Sequence, residues 1–175
     1  MFFPMNYITV YGMHMGMSAD LANYLISILN AVSIFGRILP GYIGDKLGRF
    51  NTMVVIAALS SVLVLALWIP GTGNVPIILF ACGYGFTTGA FVSLAPALIA
   101  QISDIREMGL RSGILFAVIS VAGLSGNPIG GELLKRDNGG FLDAQVFCGV
   151  MLALGTVGFL LSRVSLKGWT LRVIV

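Results

Sequence analysis

A positively charged residue, Arg37, lies inside an otherwise apolar stretch of the sequence. Its guanidinium group carries hydrogen-bond donors in a rigid fork that matches a carboxylate. Polar residues precede it at steps of four, three, three and four positions, namely Asn23, Ser27, Asn30 and Ser33. At about 100° per helical residue the five side chains fall within an arc of about 120°. The spacing predicts a continuous polar stripe on one face of a helix, where a ligand could contact the chain.

The composition places this stripe in a membrane. Hydrophobic residues make up 57% of the 175 residues and charged residues 10%, with a mean hydropathy of +0.97. A soluble domain carries about 25% charged residues. We expect an all-α membrane protein, a bundle of five complete transmembrane helices and a partial N-terminal one. The expected single transmembrane domain has a partial span at 1–13, spans at about 18–43, 52–69, 75–99, 111–130 and 141–162, and a cytoplasmic tail at 163–175.

Two interpretations of Arg37 follow from this placement. A charge within a span is costly and indicates a functional site facing a cavity. The alternative is that the long side chain extends to the membrane surface, since the expected end of the span is about six residues, or about 9 Å, away. The continuous polar stripe favours the water-filled cavity.

The basic residues predict the orientation. Eight of the ten lie on one side of the predicted spans, and only Lys135 and Arg136 lie on the other. Positively charged loops remain in the cytoplasm. We therefore expect a cytoplasmic C-terminus. Trp68, at the end of its span, is expected to meet the headgroups on the opposite side.

A glycine-rich turn at 41–51 joins the first two complete spans. The pattern G-x-x-x-D-x-x-G-R is more specific than a generic basic turn, and its glycines would allow the chain to reverse within a few positions. Asp45 is suited to accept hydrogen bonds from a helix N-terminus. The candidate residues of the turn are Gly41, Gly44, Asp45, Lys46, Gly48 and Arg49.

This turn resembles the signature turn of the major facilitator superfamily, in the copy found in the second half of such transporters. With LISILNAVSIFGRILPG before it, the segment is similar to the monocarboxylate transporter branch, especially its fungal members. The segments FFPMNYITVYGMHMGMS, SLAPALIAQIS and GNPIGG fit the same branch in the same order. The resemblance covers nearly the whole chain but only the C-terminal half of a transporter, from the end of span seven to span twelve.

The resemblance implies a role for Arg37. An arginine at this position in the family binds the substrate carboxylate, and an acidic residue one turn earlier takes part in proton coupling. Here that earlier position is Ser33, so coupling through it is not expected, and neutral or bulkier substrates are also compatible. In the family pattern Asp45 meets a helix of the other half.

The function implied is secondary transport of a small organic anion or related metabolite, by a half or truncated transporter of the plasma membrane. The expected partners are the substrate, the lipid bilayer and a missing N-terminal half. The alternatives are a truncated, non-transporting remnant that only associates with other membrane proteins, and self-association into a complete pore.

Two further segments have structural or site interpretations. The residues Gly85, Gly89 and Ser93 are small and four apart, which indicates close helix packing rather than phosphate binding. The segment 123–131 contains Pro128 among glycines and predicts either a bend or a helix end. Asn127 within it is a candidate to line the cavity.

The remaining reactive residues do not form a catalytic or metal-binding pattern. His14 is the single histidine, and neither Cys82 nor Cys148 has a histidine or a second cysteine nearby. Irregularly spaced methionines near His14 are better explained by packing than by copper binding. We expect neither an enzyme nor a cofactor or metal. The basic residues lie in loops between apolar spans, so nucleic acid is not an expected partner.

Overall fold

The protein is a helical bundle in the computed structural model, which describes residues 1–137 and 139–167. Six helices follow one another, and no strand occurs in the described ranges. The helices are α1 Phe2–His14, α2 Ala19–Leu47, α3 Arg49–Leu63 with a π-helical turn at Val64–Trp68, α4 Asn74–Ile102, α5 Met108–Arg136 and α6 Leu142–Lys167. Helices α2 to α6 are each long and apolar enough to cross a membrane. The expected five complete helices and one short N-terminal helix are confirmed.

The helices extend beyond several predicted ends. The last one continues to Lys167, where a tail was expected from residue 163, and residues 168–175 lie outside the described residues. Helix α5 runs through Pro128 to Arg136, so the helix end expected within 123–131 is wrong. In lipid an interrupted helix would leave several backbone groups without partners, whereas a proline removes only one hydrogen bond.

Helix α2 begins where the sequence predicts, directly after Ser18. Ser18 adopts an extended conformation, and its hydroxyl accepts a hydrogen bond of 3.4 Å from the backbone N–H of Leu21. Asp20 lies in the first turn, where its charge stabilises the positive end of the helix dipole.

The turn between α2 and α3 is shorter than predicted. Only Gly48 leaves the helical conformation, with φ of +94°, which disfavours a residue with a side chain. Gly41 and Gly44 lie inside α2. The chain therefore reverses at one residue, and the prediction that all three glycines form the turn is wrong.

Helices α2 and α4 form the closest contact of the bundle. A methyl group at Gly85 would lie 2.4 Å from the carbonyl oxygen of Leu29, and one at Gly89 would lie 2.3 Å from that of Ser33. Gly36 of α2 approaches the backbone of Phe86 equally closely. Only residues without side chains allow two helix backbones to meet at this distance. The packing face predicted at Gly85 and Gly89 is confirmed.

An aromatic cluster fills the end of the bundle that holds Trp68. The indole is 1% exposed, stacks on Phe80 at 5.0 Å between ring centroids and meets the edge of Tyr11 at 5.7 Å. The expected contact of Trp68 with lipid headgroups is therefore wrong, because protein surrounds the indole on all sides. Through the ring of Tyr11, helix α1 packs against this cluster.

Helices α2 and α5 both contact α1, and α5 is the least enclosed of the long helices, followed by α2 and α6 equally. In the most apolar stretch of α5 no residue is buried, and in the corresponding stretch of α2 the buried share is 22%. By comparison, 56% of the corresponding part of α4 is buried. Both α2 and α5 thus have a side without protein cover, and these two helices carry the residues of the predicted site.

Candidate functional site

The polar residues of α2 lie mainly on its exposed face. Asn23, Ser27, Asn30 and Arg37 are all exposed, and at about 100° per residue they occupy an arc of about 80°. The buried residues of the helix lie on the side that packs on α4. The geometry leaves an uncovered polar strip on an otherwise apolar helix.

Ser33 is separated from the other four polar residues. Its side chain is 6% exposed, and its backbone carbonyl faces Gly89 of α4. Its hydroxyl donates a 2.8 Å hydrogen bond to the carbonyl oxygen of Asn30. The residue lies about 60° around the helix from Asn30 toward the packed side. Its side chain is therefore part of the contact between α2 and α4.

Arg37 lies farther from the end of its helix than the sequence predicts. Because α2 continues to Leu47, ten residues and about 15 Å separate Arg37 from the end of the helix. That distance is about half the hydrocarbon thickness of a bilayer. Among the described residues no carboxylate forms an ion pair with Arg37, the three pairs being Asp45–Arg49, Glu107–Arg111 and Glu132–Lys135. The guanidinium therefore has no carboxylate partner among the described residues and retains its capacity to pair with an anion.

Asn127 of α5 forms a hydrogen bond with α1. Its Oδ1 accepts a 3.2 Å bond from Nδ2 of Asn6 on α1. Aromatic residues of α1 pack on the glycines around it, with Phe3 against Gly130 and Tyr7 beside Gly131. Each amide retains further donors and acceptors for a ligand. Sequence reasoning missed Asn6, because an asparagine in a short apolar segment gives no sign of its partner 121 residues away.

The turn at Gly48 is held by charged side chains. Arg49 donates to Oδ1 of Asp45 at 3.0 Å through Nε and forms an ion pair with it at 2.9 Å. Nη1 of the same guanidinium donates a 3.3 Å hydrogen bond to the carbonyl oxygen of Ala97 on α4. Lys46 lies over the ring of Tyr42, 4.4 Å from the centroid. In this half Asp45 therefore accepts from Arg49, and Arg49 links the turn to α4.

The described residues contain no cluster of three or more His, Cys, Asp or Glu side chains that could hold a metal ion. The site is instead a strip of amides, one hydroxyl and one guanidinium beside apolar helices. Such groups bind and orient a small molecule by hydrogen bonds and charge.

The chain is similar in sequence to known proteins. The profile of the Major Facilitator Superfamily matches residues 1–171. An MFS-type transporter of Ophiocordyceps sp. is 49% identical, with 96% of this chain aligned to 37% of that protein. An MFS transporter of Aspergillus flavus is 48% identical, over 98% of this chain and 39% of its own length. The aspyridones efflux protein of Emericella nidulans is 41% identical, over 95% of this chain and 34% of its own length.

This chain thus spans less than two fifths of the length of these relatives. No solved structure matches it. The family profile covers almost the entire chain. The relatives from Ophiocordyceps sp. and Aspergillus flavus, which align with nearly all of the chain, are named as transporters of the same family. The chain belongs to the Major Facilitator Superfamily.

Proposed function

We propose that this chain forms the second half of a secondary transporter that moves a small organic metabolite across a membrane. The exposed polar strip of α2 is the observation that supports this proposal. A strip of amides and a guanidinium would be unfavourable against hydrocarbon, and it suits the wall of a water-filled path. A second bundle facing α2 and α5 would complete that path.

The proposed substrate is an organic anion. Arg37 is the single charge on the strip, and the ten residues, about 15 Å, between it and the end of α2 favour a cavity over extension of its side chain to the membrane surface. Asn23, Ser27 and Asn30 would bind the uncharged polar groups of the substrate from α2, and Asn127 of α5 with Asn6 of α1 would bind them too. Ser33 would act by positioning α2 on α4. We further propose a cytoplasmic C-terminus and a plasma-membrane location.

The direction proposed is export. Relatives that align over nearly the whole chain are named for efflux of fujikurins and of aspyridones.

Replacement of Arg37 tests the anion site. In a full-length version with both halves, Arg37→Ala should reduce transport of a carboxylate substrate into inside-out vesicles about 10- to 100-fold. The reason is that a hydrogen bond to a charged group contributes about 1.5–3 kcal/mol. Arg136→Ala is the matched control, since Arg136 is exposed at the opposite end of the bundle. Unchanged carboxylate transport in Arg37→Ala, at equal protein levels, would contradict the anion site.

The alternative function is a non-transporting protein that only associates with other membrane proteins. Vesicles reconstituted with residues 1–175 alone should show no uptake above empty vesicles, because the described helices place nothing opposite Arg37. Uptake by this chain alone would contradict the need for a second bundle, and it would also contradict the alternative of a non-transporting protein.

A further inference from the structure

The exposed polar strip of α2 is interrupted between Asn30 and Arg37. The residues between them include a single polar one, Ser33, which is 6% exposed and packs against α4. At about 100° per residue, Ile34 lies within the same arc of the helix as the strip, and its side chain is 57% exposed. The strip therefore presents a charged group, then an apolar surface, then uncharged polar groups.

The spacing along α2 determines how far apart these groups lie. Seven residues separate Asn30 from Arg37, which is about 10 Å along the helix axis. Side chains lean toward the N-terminus of their helix, and the longer side chain of Arg37 leans farther, so about 5–10 Å remain between its guanidinium and the Asn30 amide. A single molecule that contacts both must hold its anionic group and its uncharged polar group about that far apart.

The polar side chains of the strip are available to a ligand. Within the described part of the chain, the three uncharged ones form no hydrogen bond and Arg37 forms no ion pair. By contrast, the exposed Ser120 and Ser125 of α5 each donate to a carbonyl oxygen of their own helix, which Ser27 of the strip does not. An unpaired amide or hydroxyl is costly in hydrocarbon. The hydrogen-bonding capacity of the strip is therefore left for water or a ligand.

We infer that the substrate is an amphipathic anion, whose charged group pairs with Arg37 and whose uncharged polar group binds Asn30, with an apolar segment over Ile34 between them. This inference rests on the proposed function and specifies its substrate class. The apolar segment leaves water on contact with Ile34, which favours binding in proportion to the area covered. A small hydroxy acid, with its hydroxyl beside its carboxylate, reaches Arg37 but not Asn30.

A series of ω-hydroxy acids tests the spacing. Dissociation constants are measured by isothermal titration calorimetry on a purified full-length version with both halves, for glycolate, ω-hydroxyhexanoate, ω-hydroxyoctanoate and octanoate. We expect ω-hydroxyoctanoate to bind about 10-fold more tightly than glycolate, because its apolar segment covers Ile34. It should also bind about 3- to 10-fold more tightly than octanoate, which lacks the hydroxyl, since a further neutral hydrogen bond contributes a factor of this size.

Two pairs of variants assign the contacts to residues. Asn30→Leu should weaken ω-hydroxyoctanoate about 3- to 10-fold and leave octanoate unchanged, whereas Tyr24→Phe, about 120° around α2 and 64% exposed, should change neither. Ile34→Ser should weaken both long acids several-fold but not glycolate. Leu39→Ser is its matched control, because Leu39 is 48% exposed and lies about 140° around the helix from Ile34. Thermal unfolding verifies that each variant is folded.

The outcomes separate this inference from the anion site on which it rests. Equal affinities for glycolate and ω-hydroxyoctanoate, with both lost in Arg37→Ala, would overturn the inference and leave the anion site in place. An unchanged affinity of ω-hydroxyoctanoate in Asn30→Leu would also overturn the inference. Carboxylate affinities that do not respond to Arg37→Ala at any chain length would overturn the anion site and the inference together.

Discussion

Single hydroxyl and amide groups join the helices at the end of the bundle that holds the aromatic cluster. The buried Tyr11 hydroxyl is 3.3 Å from the carbonyl oxygen of Trp68 and 3.1 Å from that of Gly71. Gln145 of α6 donates to the same Trp68 oxygen at 3.3 Å. These carbonyls lie at the π-helical turn and the loop after it, where a regular helical partner is lacking. Tyr11 and Gln145 thus satisfy backbone groups that would otherwise be buried without partners.

Removal of the Tyr11 hydroxyl should destabilise the bundle. Tyr11→Phe keeps the ring and deletes the donor, so we expect a loss of about 1–2 kcal/mol. In a chain of this size each kcal/mol lowers the melting temperature by about 2–4 °C. The measurement is thermal unfolding in detergent. Tyr24→Phe is the control, at a position 64% exposed. Equal melting temperatures for the two variants would contradict the role of the hydroxyl.

At the scale of elements, the contact between α2 and α4 determines how the site is held. The backbones of α2 and α4 are in direct contact at Gly36, Gly85 and Gly89. Because no side chains separate the two helices there, one helix cannot easily shift along the other. Arg49 adds a link at one end by its hydrogen bond to Ala97. We expect α2 and α4 to move as one unit during transport, with Arg37 fixed to that unit.

A methyl group in this contact should force the helices apart. Gly85→Ala would place a carbon 2.4 Å from the carbonyl oxygen of Leu29, and overpacking of this kind costs about 1–3 kcal/mol. Gly113→Ala is the matched control, because nothing lies within 4 Å of its added carbon. That control should be neutral or up to about 1 kcal/mol more stable, as alanine favours helix. Thermal unfolding compares them, and a Gly85→Ala protein as stable as Gly113→Ala would contradict the close contact.

At the scale of the whole molecule, the charges are distributed unequally between the two ends of the bundle. The alternation of the helices brings the start of α3 to the same end as the start of α5 and the end of α6. Eight of the ten basic residues belong to this side of the chain, although the last of them lies outside the described residues. This asymmetry favours a cytoplasmic location for that end.

Cysteine accessibility tests the orientation. In a chain with Cys82→Ala and Cys148→Ala, the variant Lys46→Cys should react with a membrane-impermeant maleimide only in inside-out vesicles. The variant Lys135→Cys, at the other end, should react only in intact cells. Both lysines are exposed, so access depends on the side of the membrane rather than on burial. The reverse pattern would contradict the proposed orientation.

The sequence by itself determined the number of helices, their approximate positions and the start of α2 at Ser18. These features follow from local properties, because an apolar run of sufficient length must form a helix in lipid to satisfy its backbone. It also indicated the packing glycines Gly85 and Gly89, since small residues four apart share one face.

The tertiary structure alone decided which side chains are covered. Ser33 and Arg37 belong to one stripe in the sequence, yet α4 buries the first and leaves the second exposed. Trp68 lies at the end of a span, yet the ring of Tyr11, 57 residues away, packs against it inside the protein. The hydrogen bond from the side-chain amide of Asn6 to that of Asn127 joins residues even farther apart in the chain. Helical periodicity gives the face on which a residue lies, whereas its burial depends on which distant helix packs on that face.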